Sequence, residues 1–231
     1  MKRIIYILAV FVPVLIFGVS VHHSNFKKEI KLVALTFDDG PYATSTEKIL
    51  SILENKGVTA SFFLVGEHAK KYPELVKREV ADGFVIGNHS YSHSRDLPIE
   101  PTTTLKADLD LTEHTINSIT NLNPHIFRYP FGSTSPQMER EVSREGYVKA
   151  SWDVDPNDWK NTNSSTTIIN YVIEHVKPGD IILLHDGHEF VGYSRENTVE
   201  ALPTLIDDLK KEGYIFVTVD KILNTNAYIL K

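Results

Sequence analysis

The chain of 231 residues contains no cysteine. That absence excludes a disulfide scaffold, an iron–sulfur cluster, a cysteine-ligated zinc site and a cysteine nucleophile. It also removes the thiol that a lipoprotein anchor needs. There is no excess of basic charge: 24 Lys and Arg stand against 30 Asp and Glu, a net −6, so nucleic acid is not an expected partner. Internal repeats, low-complexity tracts and a second linker-like stretch are all missing, and one domain is the economical reading. With 42% hydrophobic and 23% charged residues, the composition excludes disorder, collagen and coiled coil. The length is sufficient for a sizeable core.

Long apolar runs are scarce too, with one exception. Lys2 and Arg3 precede an apolar stretch from Ile4 to Val19, the charged and hydrophobic regions of a secretory signal. Gly18-Val19-Ser20 has the small-x-small spacing of a cleavage site. The run falls short of the ~20 residues that span a bilayer, so residues 1–21 read first as a cleaved signal peptide and second as a membrane anchor through residues 4–21. Either reading places the rest outside the cytoplasm, secreted to the cell wall or held at the outer face of the membrane. The remainder carries 22 basic and 30 acidic residues, a net −8. Binding near an anionic surface then requires a shaped pocket, not charge attraction. Residues 22–30 read as a linker, 31–223 as the folded domain and 224–231 as a C-terminal tail; a monomer is expected.

From Ile30 onward, apolar β-type runs alternate with amphipathic segments. Strands are expected at Leu32–Phe37, Ala60–Leu64, Phe84–Gly87, Ile126–Tyr129, Val148–Asp153, Asp180–Leu184 and Ile215–Val219. Helices are expected at Ser45–Lys56, Pro73–Asp82, Thr102–Ile119, Pro136–Glu145, Ser165–Val176 and Thr198–Glu212. Gly57, Gly83, Gly146 and Gly213 each follow a helix, where a left-handed cap favours glycine. Seven strands interleaved with helices imply an α/β fold with a parallel sheet, open or closed into a barrel. Leu105, Leu109, Thr112, Ile116 and Ile119 form one face of the long helix and read as core, not as a partner-binding stripe.

Unusual polar residues collect where these strands end, which in a (β/α) barrel is where chemistry sits. Strand one runs into Asp38-Asp39-Gly40-Pro41. Adjacent carboxylates repel, and a bound cation is one reason to keep them together; turn chemistry is the bland alternative. Neighbouring strand residues face opposite ways, so both can serve one site only if the strand ends at Asp38 and turns. After strand three, His89 and His93 are four apart and can meet one metal, with Asp38 or Asp39 completing a divalent-metal set. Arg128, ending strand four, can clamp a carboxylate of the Asp pair or form an ordinary rim salt bridge. Asp158 can orient a histidine, and Trp159 can offer a flat wall to a sugar. His185, leaving a buried strand, has the position of a general acid. His188, Glu189, His22 and His23 read as surface residues, and Tyr91, Phe190 and Tyr193 as half-buried loop packing.

Together these segments resemble the polysaccharide deacetylases of carbohydrate esterase family four, the NodB-homology domain, over about residues 31–223. The resemblance rests on five ordered motifs: TFDDG at 36–40, HSYSH at 89–93, RYPFG at 128–132, DPNDW at 155–159 and LLHD at 183–186. It implies a distorted, TIM-barrel-like (β/α) barrel of about seven parallel strands and metal-dependent removal of acetyl groups from N-acetylated sugars. It also implies Asp39, His89 and His93 as ligands of one divalent ion, Asp38 as catalytic base with Arg128 orienting it, and His185 as general acid tuned by Asp158. Phe131, Pro130, Trp159 and Leu183 would form the oxyanion and acetyl pocket. Phe131 stands where many members carry tyrosine; it keeps the backbone N–H used for the oxyanion but not the hydroxyl. The ligand set does not select one metal: Zn²⁺ is the default, with Co²⁺, Ni²⁺ and other divalent ions as alternatives. Peptidoglycan N-acetylglucosamine is the first-choice substrate, ahead of chitin, chitooligosaccharide or another exopolysaccharide. A glycoside hydrolase using Asp38 and Asp158 leaves the two histidines without purpose. A silent wall-binding module would be signalled by a broken motif, and none is broken.

Overall fold

The structure, a computed structural model, describes residues 30–188 and 194–230. The expected export segment 1–21, the linker up to residue 29 with His22 and His23, and Glu189, Phe190 and Tyr193 lie outside the described residues.

The first strand, β1 (Lys31–Asp38), organises the molecule. Strand residues alternate faces with period two. Val33, Leu35 and Phe37 therefore join the large apolar cluster under the surrounding helices, while Ala34 points into a second cluster inside the barrel. Thr36 and Asp38 continue the inner face beyond Ala34. On one side of β1 lie β2 (Ser61–Leu64), β3 (Val85–Asn88), β4 (Ile126–Phe127) and β5 (Val148–Lys149); on the other lies β6 (Ile181–His185). All these pairings are parallel, and β7 (Tyr214–Phe216) pairs with residues 31–33 at the start of β1. Beyond β5, Val154 makes a parallel bridge to Ile182, and its carbonyl accepts from Leu183 N–H at 2.9 Å. The two ends of the sheet meet there, closing a distorted (β/α) barrel.

Eight helices occur among the described residues: α1 (Ser45–Lys56), α2 (Gly66–Lys71), α3 (Pro73–Ala81), α4 (Thr102–Thr120), α5 (Pro136–Arg144), α6 (Ser165–His175), α7 (Glu196–Lys211) and α8 (Val219–Ile222). Every expected strand and helix is present, with boundary differences that have physical causes. β4 stops at Phe127 because the chain turns into a 3-10 turn at Pro130–Gly132, where proline has no N–H to offer a ladder. Val219 begins α8 instead of ending β7, its N–H donating to Ser61 Oγ at 2.9 Å. Helix α2 was not expected, since only Gly66 and Ala69 of its six residues are buried and no apolar period marks it.

Gly57 closes α1 with φ 58, and Gly83, Gly146 and Gly213 take the same left-handed region after α3, α5 and α7. The α4 face is core: Leu105, Leu109, Thr112 and Ile116 are buried, and Ile119 packs against the main cluster. Residues 224–230 run beside the α4–β4 connection. Ala227 C=O accepts from His125 N–H, and Tyr228 Oη accepts from Ile86 N–H, both at 2.9 Å. No helix among the described residues is long and apolar enough to cross a membrane.

Candidate active site

The same period-two face that fills the barrel with apolar side chains puts polar ones at its mouth. Above Ala34 come Thr36 and Asp38, above Ile126 comes Arg128, and above Ile181 come Leu183 and His185. The register sets Asp38 beside both Phe63 and His185. Asp38, Asp39, His89, His93, Phe131, Trp159, Leu183 and His185 line one cavity of about 360 Å³ at the carboxyl ends of the strands. Pro130 differs from expectation: it is buried at the start of its turn and does not line the cavity, whereas Tyr129, Phe131 and Gly132 do.

Strand β1 ends at Asp38, and Asp39 takes φ 72. This reversal gives both carboxylates to one site. A close fit behind the turn holds it. A side-chain carbon on Gly187 would collide with the Asp39 carbonyl, and one on Gly40 would collide with the Asp186 carboxyl. From the other side, His68 Nδ1–H donates to the Asp39 carbonyl at 2.7 Å.

Asp38 is gripped by Arg128, whose Nη1 lies 2.7 Å from Asp38 Oδ1 and 2.8 Å from Thr36 Oγ1. Both partners are buried, so this is not a rim salt bridge. The guanidinium also donates to the Ala150 and Ser151 carbonyls and lies against the face of Phe63, 4.0 Å from the ring centre. Asp38 Oδ2 is left facing the cavity side, 3.7 Å from His89 Nε2.

Asp39, His89 and His93 present one donor atom each within 4.8 Å of one another. His89 Nδ1–H donates to the Arg128 carbonyl at 2.9 Å, which fixes its tautomer and aims Nε2 at the carboxylates. Asp39 Oδ1 lies 3.5 Å from His89 Nε2 and 3.1 Å from His93 Nε2. Burial opposes ionisation of Asp39, but the adjacent His89 and His93 imidazoles and the His185 charge outweigh it and hold its carboxyl well below the usual range. Two imidazoles and an ionised carboxylate form a donor set suited to one divalent cation with open coordination positions. The residues present fit that ion.

His185 forms the opposite wall. Its Nδ1–H donates to Asp158 Oδ1 at 2.7 Å, while Asp158 Oδ2 accepts from His185 N–H at 2.9 Å and from Thr198 Oγ1 at 2.7 Å. Burial alone would lower the His185 pKa; the Asp158 charge and hydrogen bond, with help from Asp39 and Asp38, raise it to about 9. Burial likewise pushes Asp158 up, and His185, Arg195 and Thr198 pull it below its ordinary value. Leu183 is nearly fully buried, while Trp159 is 42% exposed as an outer wall. Phe131 adopts φ 58, packs its ring 4.4 Å from that of His93 and carries the Arg95 guanidinium 3.9 Å above its centre.

Several residues at this site carried no functional reading in the sequence. Asp186, the last letter of the LLHD motif, is fully buried against Gly40 and accepts from Thr46 Oγ1 at 2.5 Å. Arg95, Trp152 and Arg195 line the cavity. Only Asp186 had a local signal, its place after a strand-end histidine; the others reach the site through tertiary packing. His188 is half-buried, its ring 4.1 Å from that of Tyr42, and is not the surface residue expected.

A family model described as polysaccharide deacetylase matches residues 26–150. A peptidoglycan-N-acetylglucosamine deacetylase of Bacillus cereus is 37% identical over 204 residues, covering 84% of this chain and 88% of that one. The peptidoglycan-N-acetylmuramic acid deacetylase PdaA of Bacillus subtilis is 35% identical over 196 residues, covering 84% and 72%. The crystal structure of the Bc1960 peptidoglycan N-acetylglucosamine deacetylase superposes with a TM-score of 0.80 at 36% identity, covering 86% of this chain and 90% of that one.

Proposed function

The chain belongs to the polysaccharide deacetylase family, the family-four carbohydrate esterases with NodB homology, and from this premise we propose that it removes N-acetyl groups from N-acetylglucosamine units of peptidoglycan outside the cytoplasm. The observation that carries this reading is the convergence of two separate devices on one cavity: the Asp39–His89–His93 donor set with Asp38 beside it, and the Asp158–His185 pair facing them. The substrate assignment rests on relatives alone. The glucosamine-type relative is 37% identical over 88% of its length and the muramic-type one 35% over 72%. Chitin or chitooligosaccharide remains the alternative.

A divalent cation held by Asp39, His89 and His93, with Zn²⁺ the first choice and Co²⁺ or Ni²⁺ next, supplies Lewis acidity that polarises the amide carbonyl and acidifies water near neutral pH. The chain's own groups do the rest. Arg128 occupies Asp38 Oδ1, so Oδ2 is the oxygen that takes a proton from the attacking water. Water oxygen bonds to the acetyl carbon, and the Phe131 N–H donates to the developing oxyanion. One such donor is worth about 3 kcal/mol. His185 enters protonated, with Nδ1–H committed to Asp158, and delivers the Nε2 proton to the sugar nitrogen as the C–N bond breaks. Acetate and a free amine result. Leu183 and Trp159 wall the acetyl methyl.

Residues 1–21 serve as the export segment, cleaved or kept as an anchor, and the enzyme works as a monomer. The deciding assay is acetate release from chitopentaose and from purified peptidoglycan, with and without chelator, beside Asp38→Asn. Metal-dependent acetate that is lost in the variant, with no shortening of the chain, supports the reading. No acetate from zinc-loaded protein on either polymer defeats it.

A further inference from the structure

Among the described residues, one buried cation takes no part in the proposed chemistry. Arg195 is 5% exposed, lines the cavity and belongs to the turn that opens α7. Its Nε donates to the Gly187 carbonyl at 2.6 Å and its Nη1 to the Trp159 carbonyl at 3.2 Å. Those two carbonyls are not arbitrary. Trp159 directly follows Asp158, and Gly187 lies two residues after His185. Arg195 thus grips the chain just beyond each member of the pair that holds the acid proton. Three residues further on, Thr198 Oγ1 bonds Asp158 Oδ2 itself at 2.7 Å. The Arg195 charge also helps keep Asp158 ionised.

Chemistry explains why an arginine suits this place. Among the described residues, the segment after β5 meets β6 at one isolated bridge, Val154 to Ile182, with Asp153 N–H donating to the Ile181 carbonyl beside it. Buried carbonyls need donors. A planar guanidinium can offer two at a fixed spacing, whereas an ammonium is a point donor. We infer that Arg195 is a positioning residue for the Asp158–His185 pair, its fork tying the Trp159 and Gly187 carbonyls so that His185 Nδ1 stays on Asp158 and the Trp159 wall keeps its distance from His185. The catalytic meaning of this rests on the deacetylase reading; the hydrogen-bond meaning does not.

The test uses the full chain as wild type, Arg195→Gln and Arg195→Lys. Three readouts are taken: exchange of the His185 Nδ1–H proton with solvent by NMR on ¹⁵N-histidine protein, zinc affinity, and kcat with KM for chitopentaose. A His185→Gln sample identifies the resonance. In Arg195→Gln the Nδ1–H exchanges much faster. Its kcat falls by roughly 100-fold, the loss expected when a reacting group is misplaced by about 1 Å, and KM rises only a few-fold. Zinc affinity stays within about two-fold of wild type, since the donor set lies on other strands. Arg195→Lys, which keeps the charge and one contact, is intermediate in exchange and in kcat. Unchanged Nδ1–H exchange in Arg195→Gln overturns the proposal. Loss of zinc affinity in both variants also overturns it, because the residue would then support the whole fold and not this pair. If the wild type releases no acetate but the exchange effect is seen, the positioning role stands and the deacetylase reading fails.

Discussion

Arg128 Nη1 stands 2.7 Å from Asp38 Oδ1 with both side chains withdrawn from water. A buried ion pair contributes little net stability, but removing one partner strands the other charge and costs about 3–5 kcal/mol. Arg128 is further committed to Thr36, Ala150 and Ser151. The pair therefore serves to leave one carboxylate oxygen of Asp38 in a fixed place.

Two variants should separate stability from chemistry at this pair. Arg128→Met is expected to lose about 3–5 kcal/mol in urea unfolding at pH 7, because Asp38 is left buried and unpaired. Asp38→Asn should lose less, since Arg128 keeps its other acceptors, yet its kcat should fall by roughly 10²–10⁴ with the base gone. The double variant should regain part of the stability and none of the activity. Equal destabilisation by both single variants would show that the pair does not act in this way.

His185 gives the pH dependence its sign. As general acid it must be protonated, and its environment raises its pKa to about 9. Activity should hold through neutral pH and decline on the alkaline side near 9. A bound cation cancels part of the Asp39 contribution, so the loaded enzyme's limb lies at or below that value. In Asp158→Asn the largest raising influences are gone and burial prevails, so the limb should move toward or below 6.5. In stability, the raised value favours the folded state fully below 6.5 and is lost as pH rises through 9. A pH–kcat profile of Asp158→Asn that keeps its alkaline limb at the wild-type position would contradict the assignment.

Asp186 makes a separate pH prediction. Burial, followed by the charges of Asp39 and Asp38, pushes its carboxyl up to about 7 against a lowering hydrogen bond from Thr46. The folded protein therefore binds a proton that the unfolded chain releases near 3.8. The sign is that stability from this group is full below 3.8 and lost as pH rises through 7. Asp186→Asn imitates the neutral form. It should unfold like wild type near pH 4 and be more stable at pH 8 by roughly 2–4 kcal/mol. Unfolding curves at the two pH values decide it; an equal ΔΔG at both would exclude the linkage.

The contrast between Asp38 and Asp186 shows what a sequence makes legible. Asp38 sits on the inner face of a strand whose alternation is written in Val33, Leu35 and Phe37, so its direction could be read. The same period placed Arg128 and His185. Asp186 lies past the end of β6, and its surroundings depend on Gly40 having no side chain, which nothing local announces. Arg195 is harder still: its partners are carbonyls of Trp159 and Gly187, and carbonyls leave no mark in a sequence. Helix α2 escaped for a related reason, since its burial comes from glycine and alanine and not from a hydrophobic stripe. β5 was readable as a segment but not in length, because pairing with β4 covers two residues before the chain crosses toward β6.

The donor set offers a prediction that needs no substrate. His89 has its Nδ1–H fixed on the Arg128 carbonyl, so its Nε2 is pre-aimed, and Asp39 is already held ionised. Binding a divalent ion then requires little rearrangement of these groups. Added Zn²⁺ should raise the melting temperature, with a gain of about 2.7 kcal/mol at a hundredfold excess over Kd, and chelator should reverse it along with any acetate release. The gain should shrink as pH falls, since metal binding releases protons from its ligands. His93→Ala should abolish the shift. His188→Ala should keep it, because His188 packs on Tyr42 and is not one of the three donors. A thermal shift that survives in His93→Ala would place the ion somewhere else and remove the basis for assigning Asp38 as the neighbouring base.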